Sequence, residues 1–520
     1  MILLALLPLL VLLILILLFR LSVSRSASVA LLIAITIAYG TWQMTPLSIG
    51  ASLLKGFLLS LDIGIILLAA LWFLNILNVS QVFVFFKHAL FDITTDKRFQ
   101  AILLGWFGVA IIEGASGFGT PIMLIAPLMV SMGFKPLTSV LVCLLGDSIT
   151  SVYGASGVPV TLGMVEGLSQ LATPQIISMP LMLAFKSTLF MVTGSLIPLI
   201  ITLVVSQLEL GSWKKAHESW PFAILSGTLF SGMALVIASL LGPELPSLVA
   251  GLVGLLIMSV YAATHPHKRD QVEEILEKFY TKRDIAKALF PYVLIIALLS
   301  FSRATYLSIG DVLRSSGVET FLLGTNITHT FNILYSPAVI LVIATLVCVY
   351  LYKLHFKEVA HSLKESIGRM AKPYLSLTLL LMLVTLLRYS GTNNAGLAAM
   401  PQFLGNALSQ FPIGSGWLFI APFVGAFGAF LAGSVTVSNM MLAAVQVNAG
   451  LSQSLRPELV LSLQSLGAGL GNMMALHNII AGLAVVKAQE SLSKILTVNT
   501  LVATLLLLLT GTAAWLLWGL

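Results

Sequence analysis

A carboxylate, three glycines, two hydroxyls and a proline interrupt an apolar stretch that runs from Phe99 to Phe134. The interruption reads Glu113-Gly-Ala-Ser-Gly-Phe-Gly-Thr-Pro121. In hydrocarbon every backbone N–H and C=O needs an internal partner. Non-helical backbone survives there only where it is buried in protein or lines a wet cavity. An ionisable group at that depth is by default a functional residue. A second interruption, Gly433-Ser-Val-Thr-Val-Ser-Asn439, sits in another apolar stretch far along the chain. Broken segments in corresponding positions of two halves are the best sequence pointer to a transporter's binding site.

The surrounding composition leaves one solvent for such a chain. Of 520 residues, 58% are hydrophobic and 9% charged, whereas a soluble domain carries about 25% charged residues. Apolar runs near the ~20 residues that cross a ~30 Å core recur from Ile2–Phe19 to Ile495–Trp518. The runs Phe99–Phe134, Leu137–Leu162, Gly414–Gln446 and Leu459–Val486 are broken, while Leu181–Gln207 and Pro373–Leu387 read as single helices. The fold class is therefore an all-α polytopic membrane protein of about 12–14 transmembrane segments. The first run has no basic n-region and no small-residue cleavage site, so it reads as a retained helix.

Basic residues cluster at Arg20/Arg25, Lys87/Lys97/Arg98, Lys214/Lys215, Lys268–Lys287 and Lys353–Lys372. These loops share one side if successive helices alternate and the region between Arg98 and Lys214 crosses an even number of times. The positive-inside rule makes that side cytoplasmic and places Met1 outside. This bias accounts for the net charge of +7. With no soluble basic domain, no nucleic-acid partner is expected. Cys143 and Cys348 sit in apolar runs and read as small core residues, without metal-ligand spacing. No cofactor is implied, and without a P-loop there is no sign of an ATP-driven machine.

The longest polar segments are Thr264–Asp284 and Leu354–Lys372. Val272-Glu-Glu-Ile-Leu-Glu-Lys-Phe-Tyr280 and His355–Met370 have helical apolar spacing, and read either as amphipathic helices at the cytoplasmic surface or as linkers. The division is an N-terminal membrane repeat over 1–263, a connector over 264–285 and a C-terminal repeat over 286–520. Each repeat holds a re-entrant hairpin, near 113–121 and 433–439. A broken helix follows each, near 145–159 and 467–478. That layout suggests inverted repeats meeting at a midplane site.

At these motifs the chain resembles the L-lactate permease family of bacterial 2-hydroxymonocarboxylate transporters. Glu113–Pro121 resembles the family's E-G-A-x-G-F-G-x-P, and Gly154-Ala-Ser-Gly-Val-Pro159 its F-G-A-x-G-x-P. Arg388-Tyr-Ser-Gly391 is similar to its Y-S-G element. Gly433–Asn439 looks like G-S-D-T-S-S-N, and Gly471-Asn-Met-Met-Ala-Leu-His-Asn478 like G-N-M-x-x-x-H-N. The resemblance implies secondary uptake of lactate, glycolate and related hydroxy acids, coupled to protons. By wider analogy it implies an ion-transporter fold and a homodimer. The chain departs from the pattern at Val435, which stands for the family's acid, at Val437, which stands for a serine, and at Asp147, which stands for an asparagine. If the repeats face each other, one carboxylate has moved across the site.

A hydroxy acid needs donors for its carboxylate, a partner for its hydroxyl and a device to balance its charge. Half-helix N-termini supply the first. Ser116, Gly117, Gly119 and Thr120 form one candidate cradle. Ser434, Thr436, Ser438 and Asn439 form the other, extended by Asn472 and Asn478. The alternative is that these small residues only let helices pack closely. Glu113 is the preferred proton carrier, because burial favours a neutral carboxyl; a purely structural carboxyl is the alternative. Asp147 is the second carrier or an N-cap, and His477 a proton relay or a structural histidine. Arg388 suits carboxylate recognition or an interface anchor, and Asp62 an inter-helix hydrogen bond. Oxygen-rich breaks would also suit Na⁺, so a Na⁺-coupled transporter of another organic anion stays open. An intramembrane protease would need a paired Asp/Asp or Ser/His site or H-E-x-x-H; none is apparent, and no enzyme is expected.

Overall fold

The computed structural model describes residues 1–19, 21–117, 119–169, 171, 177–264, 282–303, 309–410, 413–488 and 492–519. The connector read over 264–285, including Val272–Tyr280, lies almost wholly outside them, as does Phe118. Among the described residues eleven helices are long and apolar enough to cross a membrane, with shorter apolar helices at Ile2–Ile16, Thr120–Ser131, Ala286–Ser302 and Pro337–Leu351. Among the described residues the protein is all-α apart from one antiparallel pair of strands, Val318–Phe321 and Thr328–Phe331.

Proline opens many of the helices. Pro46, Pro136, Pro246, Pro337 and Pro457 sit in the first turn, where a missing N–H costs nothing and φ is already helical. The Thr45 hydroxyl caps Pro46–Val79 by accepting from the Ser48 amide at 3.1 Å. That helix begins ten residues before the apolar run at Gly56 and so takes in Lys55.

Two expected boundaries move. Leu181–Gln207 divides into Met179–Gly194 and Ile197–Leu208, with Pro198 opening the second. Conversely, His355–Met370 and Pro373–Leu387 are not separate elements. They form one helix, Phe356–Tyr389, with Pro373 inside it and a capping box between His355 and Glu358. An internal proline removes a single i→i−4 bond and kinks a helix. Here the helix continues through it, packed along Pro46–Val79.

The four interruptions are built in two successive pairs. A first hairpin rises through Lys97–Ile102, a π-turn at Leu103–Gly108 and Val109–Ser116, then turns at Gly117 and Gly119 and descends as Thr120–Ser131. Pro136–Leu168 follows, broken at Ser151–Gly157. A second hairpin pairs Trp417–Ala432 with Val435–Ser452 across Gly433. Pro457–Asn472 and Leu476–Val485 follow, broken at Met473–Ala475. The pairs interlock: Val435–Ser452 packs on Pro159–Leu168, and Pro457–Asn472 on Pro136–Thr150.

Basic side chains gather at one end. Lys97 donates to Gly133 O and pairs with Glu209, both at 2.7 Å. The Lys135 amide donates to Glu209 at 2.8 Å. Arg98 pairs with Asp96 and Glu218 and donates to Lys215 O. The chain between Arg98 and Lys214 thus leaves this end and returns to it.

Candidate functional site

Both hairpin tips and both helix breaks reach one small cleft. It is lined by Glu113 and Gly117 from the first tip, Ser151, Gly154, Ala155 and Pro159 from the first break, Gly433 to Thr436 from the second tip, and Asn472 from the second break.

The tips turn by different geometries. Gly117 has φ +65° and ψ −164°, a region essentially closed to residues with a β-carbon. Gly433 has φ +60° and ψ 31°, left-handed helical, and ends its helix as a glycine commonly does. Ser434 then caps Val435–Ser452, accepting from the Val437 amide at 3.4 Å. The first amides of a helix have no intrahelical acceptor, so this tip presents main-chain donors and the positive end of a helix dipole to the cleft. In the first break, Ala155, Ser156 and Gly157 all have positive φ, at 46°, 51° and 79°. A left-handed turn with two non-glycine residues costs about 1–3 kcal/mol per residue, and such strain clusters at functional sites.

Two buried acids stand together at one side, Glu113 lining the cleft and Asp147 behind it. Glu113 is 3% exposed and Asp147 fully buried, and their carboxyl groups lie within hydrogen-bonding reach of each other. Among the described residues, no N–H or O–H donor reaches Glu113 Oε2 or Asp147 Oδ1. Asp147 Oδ2 accepts from Asn472 Nδ2 at 3.0 Å, and Asn472 Oδ1 accepts from Asn478 Nδ2 at 2.9 Å. Asn478 therefore fixes which way the Asn472 amide points, and the chain of bonds joins the two halves. Asn439 makes another bridge, donating to Pro159 O at 3.0 Å while its Oδ1 has no partner among the described residues.

Other expected residues point elsewhere. Ser116 donates back to Ile112 O at 2.8 Å and Thr120 to Gly117 O at 2.7 Å, closing the tip on itself. Ser438 donates to Gly425 O at 2.9 Å and accepts from Gln464 at 3.1 Å, so it joins three helices behind the cleft. Gly119 approaches Asn478 rather than the cleft lining. His477 lies against Gly433, in the space a β-carbon there would need, and hydrogen-bonds its main chain.

Arg388 is not brought to the cleft. It is 3% exposed, which overturns the interface-anchor reading. It donates to Glu166 O and to Ser169 Oγ at 2.6 Å, with Glu166 Oε2 at 3.5 Å. Glu166 also pairs with Lys55 at 3.1 Å. Asp62 meets the strand pair, not a helix: its Oδ2 lies 3.3 Å from His329 Nε2. Lys55, Glu166 and His329 were not singled out from sequence. An acid within the otherwise apolar Val158–Leu168 was the available signal for Glu166; nothing local marked His329.

A family model described as L-lactate permease matches residues 1–520. A relative from Haemophilus influenzae is 30% identical over 413 residues, 75% of this chain and 74% of its own. The L-lactate permease of Escherichia coli K12 is 25% identical over 517 residues, 93% of this chain and 90% of its own. That of Halalkalibacterium halodurans is 25% identical over 496 residues with the same coverage. Broken membrane helices around a buried acid are thus found in a chain matched from end to end, and it belongs to the L-lactate permease family.

Proposed function

We propose that this protein imports lactate, glycolate and similar short 2-hydroxymonocarboxylates across the bacterial inner membrane by proton symport. The observation that carries the reading is Glu113 lining one cleft with a helix N-terminus, backed by the buried Asp147 that holds the Asn472 amide. Two bare carboxylates this close, away from water, repel each other and any arriving anion. One proton shared between them satisfies Glu113 Oε2 and Asp147 Oδ1 together and removes a charge. The substrate carboxylate then rests on the amides at Val435 and Thr436, and its hydroxyl on Thr436 and the Asn472 amide. Proton and anion enter as a neutral sum. The two hairpin-and-break pairs act as inverted repeats, and the end bearing Lys97, Arg98 and Lys135 faces the cytoplasm with Met1 outside.

The test is uptake of labelled L-lactate by purified protein in liposomes, under a pH gradient or a Na⁺ gradient. The expected result is accumulation with an alkaline interior, competed by glycolate and not by a dicarboxylate. Accumulation that follows the Na⁺ gradient and ignores the pH gradient would replace the proton by sodium. Failure to move any hydroxy acid would remove the substrate class.

A further inference from the structure

Lys186 presents an anomaly. It sits in mid-helix in Met179–Gly194, fully buried. Among the described residues no carboxylate lies within ion-pair distance of its ammonium. Nζ donates to Val152 O at 2.8 Å and stands 4.1 Å from the centre of the Tyr153 ring. Its neighbour Ser187 takes the Tyr153 hydroxyl at 2.7 Å. Two consecutive residues of one helix therefore grip two consecutive residues of the first break.

The break explains the grip. In a continuous helix the carbonyls of Thr150 and Val152 would accept from amides four residues on. The 3-10 turn Ser151–Tyr153 takes the Gly154 amide to Ser151 O, and Ser156 lies in the left-handed turn at Ala155–Gly157. Thr150 O instead takes the Ser247 hydroxyl at 2.7 Å, and Val152 O takes Lys186. A neutral donor suffices at the first carbonyl. An ammonium at the second is excessive if capping is all that is required, because burying an unpaired charge is costly. A carbonyl and an aromatic face stabilise a cation in part, but they leave it without a counter-ion. The flanking residues Ser151, Gly154 and Ala155 line the cleft.

We infer that Lys186 supplies the fixed positive charge that balances the transported anion, acting through the broken helix as a positioning residue and occupying the place a coupling sodium ion would take at the freed carbonyl. The fully buried lysine has no carboxylate of its own because its counter-ion is the substrate. This rests on the cleft's being the anion site, but not on proton coupling.

The experiment is equilibrium binding of L-lactate to purified protein, without gradients, in Na⁺ or choline buffer. Wild type is compared with Lys186→Gln, which keeps a donor and loses the charge, and Lys186→Arg, which keeps the charge. The expected results are wild-type affinity independent of Na⁺, a Kd weakened about tenfold or more in Lys186→Gln, and a Kd within about threefold of wild type in Lys186→Arg. Equal affinity of Lys186→Gln and wild type would overturn the inference. So would equal weakening in both variants, which would make Lys186 a clamp alone, or tightening of wild-type binding by Na⁺. If Lys186→Gln does not fold, the wild-type Na⁺ comparison still decides. Wild type that binds no lactate in either buffer would fault the substrate reading instead, and loss of uptake driven by a pH gradient would fault only the proton.

Discussion

The two hairpin tips meet in one cleft with opposite endowments. The first carries the acid Glu113, paired with Asp147 from the helix Pro136–Thr150 behind it, and is closed by its own hydroxyls. The second carries no acid: Val435 stands where the family pattern has one, packed with Ala429 and Ala468. What the second tip and its break offer are main-chain amides and side-chain amides, at Ser434, Asn472 and Asn478. Similar backbone devices thus serve different tasks. On the proposed reading, one half holds the proton and the other receives the anion, and acids kept on one side leave the helix N-terminus free for the substrate carboxylate.

The sharpest break of this division is Glu113→Gln. It should abolish accumulation of lactate driven by a pH gradient, an effect of ~10²-fold or more on the coupled rate, while gradient-free lactate exchange persists. Paired uptake and counterflow assays measure both; a variant that still accumulates takes Glu113 out of the coupling. Asp147→Asn comes next. It leaves the Asn472 amide facing another amide and loses a charge-assisted bond of about 1.5–3 kcal/mol, a loss of roughly tenfold or more in transport. Adding Val435→Asp to Asp147→Asn should restore part of that loss by returning a carboxylate across the cleft. Strictly additive losses would show that the two positions are not equivalent.

The glycines sharpen the comparison further. At Gly117 a β-carbon would come within 2.8 Å of the Ala155 β-carbon and 3.2 Å of its amide, neither of which can swing away. At Gly433 it would overlap the His477 ring, a side chain that can turn only by giving up its bond to that main chain, in a left-handed region that costs alanine about 1–2 kcal/mol. Gly117→Ala should therefore lower thermal stability in detergent more than Gly433→Ala; the reverse order would show the second tip to be the more constrained. The smallest effect belongs to Ser438→Ala. It should cost about 1 kcal/mol of stability and leave the KM for lactate unchanged, since its hydroxyl is spent on Gly425 and Gln464 behind the cleft.

Much of this arrangement was legible in the chain because membrane helices tolerate so little. Glycine, proline and acid inside an apolar run announce a break, and the two hairpin turns and the break at Ser151–Gly157 hold glycine, whereas Met473–Ala475 holds none of the three. What the run of letters did not convey is direction. Ser116, Thr120 and Ser438 share composition with Ser434 and Thr436, yet only the latter two line the cleft. A hydroxyl on a helix can bond back to its own turn, and spacing does not decide between the choices. Nor does local sequence reveal partners brought from afar. Arg388 read as a substrate ligand or an interface residue because Glu166, over two hundred residues away, was invisible to it. The strands at Val318–Phe321 and Thr328–Phe331 escaped notice because each is four residues long, too short to show alternation. Pro373 read as a boundary because proline usually is one, and the long helix carries on through it.

The most direct test is a cryo-electron microscopy map of the protein in lipid nanodiscs with L-lactate. The account predicts density for the anion between Gly117 and Ser434, its carboxylate on the Val435 and Thr436 amides and Glu113 close by. Anion density beside Arg388 and Lys55, with nothing between the two tips, would contradict it.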